Sequence, residues 1–168
     1  QICLEAIKRN DEEMKTNTLL TCVEPYENKW LEGLGVNIIR KKIENINLDW
    51  SKELNTGDIL FIDSSHIIRP EGDVLKIYFE IIPKLKSGVI IHIHDIFTPK
   101  NYLKEWVVDH LRFWNEQYLL EAILMNNNKL KIIMAANYLK HKHYEKLSLC
   151  CPYIENNTEP TSIYLQVL

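Results

Sequence analysis

Two short stretches of the sequence place acidic and histidine side chains where they could support chemistry. In FIDSSH (residues 61–66), Asp63 and His66 stand three residues apart at the end of an apolar run. An aspartate is a hard oxygen ligand for a divalent cation, and a histidine is a base that titrates near neutral pH. The same spacing also fits a structural role, in which Asp63 caps a following helix and His66 faces solvent.

The second stretch is HIHDIF (residues 92–97). On a strand, His92 and His94 share one face, and Asp95 points the other way unless the strand ends before it. The H-x-H pattern is typical of zinc-dependent hydrolases, but those resemble (β/α)₈ barrels of about 250 residues. No further ligands follow at a supporting spacing, so we interpret His92 as a packing histidine and a metal-dependent hydrolase as the third alternative.

Two further sites carry polar residues in apolar surroundings. Glu24 ends a short apolar run, and an acid at that point of a nucleotide-binding α/β unit commonly accepts both ribose hydroxyls. The alternative is an exposed acid at a strand end. In WNEQYLL (residues 114–120), Asn115, Glu116 and Gln117 interrupt an apolar pattern. A capping network and a substrate-facing role remain equally open for these three residues.

Hydrophobic patterning predicts the elements that position these residues. Apolar runs predict strands at residues 19–24, 36–43, 58–63, 88–95, 130–136 and 162–168. Helices are predicted at residues 2–14, 27–34, 49–54, 73–85 and 100–125, the last with Trp106, Leu111, Trp114, Tyr118 and Leu119 buried. This alternation predicts an α/β fold, with a mostly parallel sheet covered by helices on both faces. Ligands bind at the carboxyl ends of the strands in such sheets, where Asp63, His66, His94 and Asp95 would converge.

Composition bounds the class of protein. A chain of 168 residues fits a single domain, and its net charge of −3 offers no basic surplus for nucleic acid or an anionic membrane surface. No apolar run approaches the roughly 18 residues of a membrane span. The four cysteines form no C-x-x-C pair, which favours a reducing compartment such as the cytoplasm.

Four motifs in order identify a family. TCVEPYEN, GDILFIDSSH, GVIIHIHDIF and WNEQYLLEAIL resemble class I S-adenosylmethionine-dependent methyltransferases, and most of all a bacterial subgroup that carries I-E-P-Y, F-I-D-S-S-H, H-x-H-D-I-F and W-N-E-Q-Y-L-L. The resemblance covers about residues 2–136 and implies a Rossmann-like fold. The family's first strand and its glycine-rich loop (E-x-G-x-G-x-S) have no counterpart here, so we expect residues 1–168 to be one N-terminally truncated domain. The 19–24 strand should then lie on the side left open by the missing strand.

The resemblance also assigns cofactor-binding residues. It implies that Glu24 holds the ribose of S-adenosylmethionine, and that Asn45 in KIENINL meets the adenine at a position where the family more often has aspartate. Asp63 is counted among the cofactor-binding residues as well. Without the glycine-rich loop, these 168 residues alone are expected to bind the cofactor weakly or not at all.

In related sugar and macrolide O-methyltransferases, two aspartates bind magnesium and a histidine deprotonates the acceptor hydroxyl. Asp63, Asp95 and His66 match that arrangement, whereas His94 stands where those relatives have an acid. The resemblance therefore implies O-methylation of a small-molecule or sugar hydroxyl, with a divalent cation such as magnesium as a further cofactor. The edge left unpaired by the missing strand invites association with another chain, so a homo-oligomer is a further expectation. The alternatives are a catalytically silent Rossmann-like binding module and a truncated fragment without activity.

Overall fold

The computed structural model describes residues 2–26 and 28–168. Glu27, with which the predicted 27–34 helix begins, lies outside the described residues, as does Gln1. The chain forms two compact units, Gln1–Asn47 and Leu48–Leu168. None of the helices in the described ranges is long and apolar enough to cross a membrane.

The first unit holds a small parallel sheet. Its elements are α1 (Ile2–Met14), β1 (Thr21–Val23), α2 (Lys29–Glu32), β2 (Asn37–Ile39) and a 3₁₀ turn (Ile43–Asn45). β1 and β2 pair in parallel, with Thr21 opposite Asn37 and Val23 opposite Ile39. The carboxyl ends of both strands therefore meet at one edge, where the loops after them begin.

The second unit contains the larger sheet and most of the helices. Its elements are α3 (Trp50–Glu53), β3 (Ile59–Ile62), α4 (Asp73–Lys76), β4 (Ile90–Ile93), α5 (Lys104–Val108), α6 (Glu116–Leu124), β5 (Leu130–Ala135), α7 (Ala136–Lys142), α8 (Tyr144–Cys150) and β6 (Ile163–Val167). α4 continues without a break through a π-helical turn (Ile77–Ile81) and a 3₁₀ turn (Ile82–Lys84).

The larger sheet has the strand order β3-β4-β6-β5. β3 and β4 are parallel neighbours, with Ile62 opposite Ile93, which confirms the predicted adjacency of the 58–63 and 88–95 strands. β6 runs antiparallel between β4 and β5. The helices that flank this sheet confirm the predicted α/β class.

The prediction for the 19–24 strand is wrong in one respect. Among the described residues β1 pairs with β2 in a separate two-stranded sheet, so the six strands form two sheets rather than one. Strands join a sheet through backbone hydrogen bonds to a neighbour. Among the strands of the described residues, none pairs with both β1 and β3.

Alternating apolar side chains along the strands explain how one face of the larger sheet packs against helices. Along β6, Ile163, Leu165 and Val167 are buried, and Ile91 and Ile93 of β4 are fully buried beside them. Side chains on a strand alternate between faces, so these residues line one face against the helices. The site residues follow directly from the ends of these rigid strands.

The predicted long helix at residues 100–125 is wrong, because residues 109–115 separate α5 from α6. The backbone N–H groups of Asn115 and Glu116 donate to the His66 carbonyl, at 2.9 and 3.2 Å, and so α6 begins anew at this point. Leu111 and Tyr118 are exposed rather than buried, while Glu116 is fully buried. Tertiary hydrogen bonds here override the helical pattern of the sequence.

The segment between β5 and β6 also differs from the prediction. Residues 136–150 form α7 and α8, to which the sequence analysis assigned no element. Leu147 of α8 is buried, which gives this region a packed side. Its many lysines and histidines concealed the short apolar pattern.

Candidate functional site

A cleft of about 450 Å³ lies in the first unit, at the carboxyl ends of β1 and β2. Its lining residues are Pro25, Tyr26, Arg40, Lys41, Lys42 and Asn45. Glu24 directly precedes two of these lining residues, and Asn45 ends the 3₁₀ turn that follows β2. Two residues predicted to bind a cofactor are thereby brought to the same part of the first unit.

Local hydrogen bonds fix the loop after β1. The Glu24 N–H donates to the Ile39 carbonyl at 3.1 Å, which extends the strand pairing by one residue. The Glu24 Oε1 atom accepts the Tyr26 N–H at 2.9 Å. The Arg40 guanidinium donates to the Tyr26 carbonyl at 2.6 Å, so β2 holds the loop of β1 in place. An ordered carboxylate of this kind can accept hydroxyl groups of a bound ribose.

In the second unit, the residues after β3 and β4 converge. His66 Nε2 lies 3.6 Å from Asp63 Oδ1 and 3.7 Å from Asp95 Oδ2. His94 Nδ1 lies 3.1 Å from Asp95 Oδ1 and 3.7 Å from Asp63 Oδ1. Four predicted site residues therefore form one cluster, as the rule for parallel strand ends indicates.

A left-handed backbone conformation directs the side chains of two of these residues into the cluster. β4 ends at Ile93, and Asp95 adopts a left-handed φ of 56° that directs its carboxylate back towards His94. His66 also has a left-handed φ, of 58°. Residues other than glycine adopt this region at some cost, and surrounding contacts must hold them there.

His66 is held on its other side by Glu116 of α6. The His66 Nδ1 atom lies 2.7 Å from Glu116 Oε2, and the Ser64 hydroxyl donates to the same oxygen at 2.7 Å. His66 is 4% exposed and Glu116 is fully buried. The Trp114 ring packs on the imidazole at a centroid distance of 4.3 Å. The cluster therefore has a dry side at α6 and a more open side at Asp63.

The surroundings of His66 determine its protonation. Burial acts to lower the pKa of His66, but the hydrogen bond to Glu116 and the charges of Glu116, Asp95 and Asp63 outweigh it, and the pKa is raised above 6.5. Burial and the nearby Glu116 carboxylate raise the pKa of the Tyr78 phenol well above its ordinary value. A raised histidine pKa suits a base that must keep a transferred proton.

His92 lies outside this cluster, in agreement with its interpretation as a packing histidine. Its ring stacks on Tyr164 at 4.1 Å, and its Nε2 atom lies 2.9 Å from the Ser162 hydroxyl. Burial, and to a lesser extent the charge of His94, lowers the pKa of His92. The H-x-H pattern therefore does not present both histidines to one ligand.

The cluster offers two carboxylates as candidate ligands for a cation. Asp63 and Asp95 supply carboxylate oxygens, but among the described residues no group of three or more histidine, cysteine or acidic side chains is arranged to hold a cation. His94 Nδ1 lies within ion-pair distance of both carboxylates. The assignment of Asp63 and Asp95 as magnesium ligands stays a prediction.

The WNEQYLL motif supplies polar residues whose role the sequence left open. The Asn115 side chain accepts the Ile68 N–H at 2.6 Å, and Glu116 contacts His66. Gln117 accepts the Phe97 N–H at 2.7 Å. Three consecutive polar residues thus hold the loops that follow β3 and β4. Three polar residues in a row inside an apolar pattern indicated a special role, but the sequence did not indicate which residues they contact.

Comparisons with known proteins agree with this fold. A family model described as "Methyltransferase domain" matches residues 1–96, more than half of the chain. A search of curated proteins found no significant match.

Three solved structures resemble the chain. Two are complexes of the plantazolicin methyltransferase BpumL with SAH and either a pentazolic or a triazolic desmethylPZN analog. Their TM-scores are 0.54 and 0.53, and their sequence identities to this chain are 13% and 12%. Each match covers 95% of this chain, and it covers 71% and 70% of the respective BpumL chain. The third is the SAH-bound methyltransferase PaMTH1 of Podospora anserina, with a TM-score of 0.49, 15% identity and coverage of 90% of this chain and 61% of its own. At its low identity, the BpumL similarity establishes a Rossmann-like fold and nothing finer.

Proposed function

The chain belongs to the methyltransferase domain family, whose model matches residues 1–96, and from this premise we propose that it transfers a methyl group from S-adenosylmethionine to a hydroxyl group. The observation that carries the proposal is the buried imidazole of His66, whose Nε2 atom faces the carboxylates of Asp63 and Asp95. A hydroxyl must lose its proton as it is methylated. A buried base beside acidic groups suits that task.

The cleft of the first unit supports the cofactor assignment. Glu24 is proposed to accept the ribose hydroxyls, and Asn45 to meet the adenine from the 3₁₀ turn. The carboxylate, the amide and the Tyr26 ring offer the hydrogen-bonding and stacking groups that an adenosine needs. The fold neighbours were crystallised with SAH, which is the product that S-adenosylmethionine leaves after methyl transfer. Asp63 stays a further candidate for cofactor contact.

In the proposed reaction, His66 acts as the general base. S-adenosylmethionine supplies a methyl group on a sulfonium, which is already a good leaving group, so the protein contributes alignment, exclusion of water and removal of the hydroxyl proton. The proton passes from the acceptor oxygen to His66 Nε2. Asp63 and Asp95 then stabilise the imidazolium through their negative charge.

The acceptor is proposed to be a small molecule or a sugar. A net charge of −3 gives no general attraction for nucleic acid or an anionic membrane. Two carboxylates near the base would also repel an anionic acceptor group. A neutral polyol or phenol is therefore the class of compound to test first.

The experiment that tests this function has two parts. Isothermal titration with S-adenosylhomocysteine measures cofactor binding by the full chain, by Glu24→Gln, and by the exposed control Glu12→Gln. Loss of a charged hydrogen bond costs about 1.5–3 kcal/mol, so Glu24→Gln should raise Kd by about tenfold or more, while the control leaves it unchanged.

The second part follows tritiated methyl groups from S-adenosylmethionine into a panel of monosaccharides and phenols. Labelled ether products support the proposed reaction. Cofactor binding without transfer to any hydroxyl compound would favour the catalytically silent binding module instead. Absence of cofactor binding by these 168 residues would contradict the proposed transfer by this chain.

A further inference from the structure

We propose that Glu116 is the positioning residue that sets the tautomer of His66, keeping the proton on Nδ1 and leaving Nε2 free to act as the base. This inference deepens the proposed function and rests on it for its catalytic meaning. No other acid within the cluster contacts Nδ1: Asp63 and Asp95 both lie on the Nε2 side of the ring.

The contact itself determines which nitrogen carries the proton. The separation between His66 Nδ1 and Glu116 Oε2 is 2.7 Å, a hydrogen-bond distance. An ionised carboxylate only accepts hydrogen bonds, so the imidazole nitrogen must be the donor. A neutral imidazole has one N–H, and placing it on Nδ1 leaves a lone pair on Nε2.

Several further hydrogen bonds hold Glu116 and His66 together. The His66 carbonyl accepts the Glu116 N–H at 3.2 Å. The Ser64 hydroxyl accepts the His66 N–H at 3.0 Å and donates to Glu116 Oε2. These contacts hold the left-handed backbone of His66 and fix the ring relative to the carboxylate. Both partners are therefore tied to the amino-terminal end of α6 by hydrogen bonds.

The other charged groups around the ring do not compete for Nδ1. Glu116 approaches from α6, and Asp63 and Asp95 from the loops after β3 and β4. Trp114 covers one face of the ring, and the Arg112 guanidinium stands 4.9 Å from the Trp114 ring centroid. Among the described residues, Glu116 is therefore the carboxylate in hydrogen-bond contact with Nδ1.

The test reads the tautomer directly by ¹⁵N NMR on histidine-labelled full chain at about pH 9, above the ordinary histidine pKa of about 6.5. We compare wild type with Glu116→Gln and Glu116→Leu. The glutamine amide can donate to Nδ1 as well as accept from it, and leucine can do neither. Wild type should show an N–H signal at Nδ1, and both variants should gain the Nε2–H form.

A matched control uses the same helix. Glu121→Gln makes the identical change on α6 at a carboxylate that accepts from Thr98 and Gln117 and does not contact His66. Its His66 tautomer should equal that of wild type. Tryptophan fluorescence checks that each variant is folded, and Glu116→Gln keeps the test valid if Glu116→Leu does not fold.

The kinetic arm measures methyl transfer to the acceptor that the panel identifies. The kcat of Glu116→Gln should fall by up to about 10²–10⁴-fold, the range of general-base catalysis, with the KM for S-adenosylmethionine unchanged. An unchanged tautomer in both folded variants overturns the positioning role, whether or not the protein methylates. A wild-type kcat in Glu116→Gln also overturns it while leaving the proposed function intact. Absence of transfer by wild type removes the function, but the NMR result still decides the tautomer.

Discussion

The Gln117 side chain accepts the Phe97 N–H at 2.7 Å, and this bond joins the start of α6 to the segment that follows β4. The Gln117 Nε2 atom donates to the Lys100 carbonyl at 2.7 Å, so one side chain satisfies both a donor and an acceptor of that segment. Gln117 is fully buried, as is Phe97. The loop that carries Asp95 is thus fixed by a side chain 22 residues further along the chain.

Replacement of Gln117 should destabilise the second unit. Gln117→Leu leaves the buried Phe97 N–H without its partner, which costs about 1–3 kcal/mol, and it also removes the part-buried hydrogen bond to the Lys100 carbonyl. We expect the free energy of unfolding to fall by about 2–4 kcal/mol in urea denaturation followed by tryptophan fluorescence. Tyr118→Phe, the adjacent half-exposed control, should change it by less than about 0.5 kcal/mol. Equal stability of Gln117→Leu and wild type would refute this role.

The buried His66 and the half-buried His92 should titrate on opposite sides of the ordinary histidine pKa of 6.5. The raised pKa of His66 results from Glu116, Asp95 and Asp63, which outweigh burial. The lowered pKa of His92 results from burial and the charge of His94. NMR titration of the ring C–H signals measures both midpoints, and a His66 midpoint below that of His92 would contradict the prediction.

The same directions predict how pH affects stability. Because the folded protein raises the pKa of His66, its stabilising contribution is fully present below pH 6.5 and is lost as the pH rises through the folded pKa. For His92 the folded pKa is lowered, so its contribution is present above pH 6.5 and is lost as the pH falls. In His92→Gln, the free energy of unfolding should therefore fall less than in wild type as the pH is lowered below 6.5. Urea denaturation at several pH values measures this difference.

Much of the site was predictable from strand ends. A buried apolar run followed by an acid placed Asp63 after β3, and the same reasoning placed His94 and Asp95 after β4. Parallel neighbours bring their carboxyl ends to one edge, so the convergence of these residues with His66 needed no knowledge of side-chain packing.

The partner of His66 was not predictable in this way. Glu116 follows His66 by 50 residues, and its contact depends on where α6 begins. That start is set by hydrogen bonds from Asn115 and Glu116 to the His66 carbonyl, which local patterning does not encode. The apolar pattern at residues 100–125 therefore favoured one long helix and concealed the break.

Glycine 88 should tolerate no side chain. It has a φ of 88°, and an added Cβ would lie 2.4 Å from Thr56 Cγ2. Gly57 has a φ of 91° with open space around it, so Gly57→Ala isolates backbone strain, about 1–2 kcal/mol. Gly88→Ala should cost more than Gly57→Ala, and adding Thr56→Ser should recover part of the difference. Equal losses for the two alanine variants in urea denaturation would show that the steric contact does not matter.

The last prediction separates catalysis from cofactor binding. Because removal of the acceptor proton is worth about 10²–10⁴-fold in rate, His66→Ala should lower turnover by about that range and leave the Kd for S-adenosylhomocysteine nearly unchanged. Asp95→Ala should lower turnover too, since its carboxylate lies 3.7 Å from His66 Nε2 and stabilises the imidazolium. Glu24→Ala should instead raise the Kd. Steady-state methyl transfer and titration calorimetry on the three variants measure both quantities. If His66→Ala turns over like wild type, the base lies elsewhere and the cluster has only a structural role.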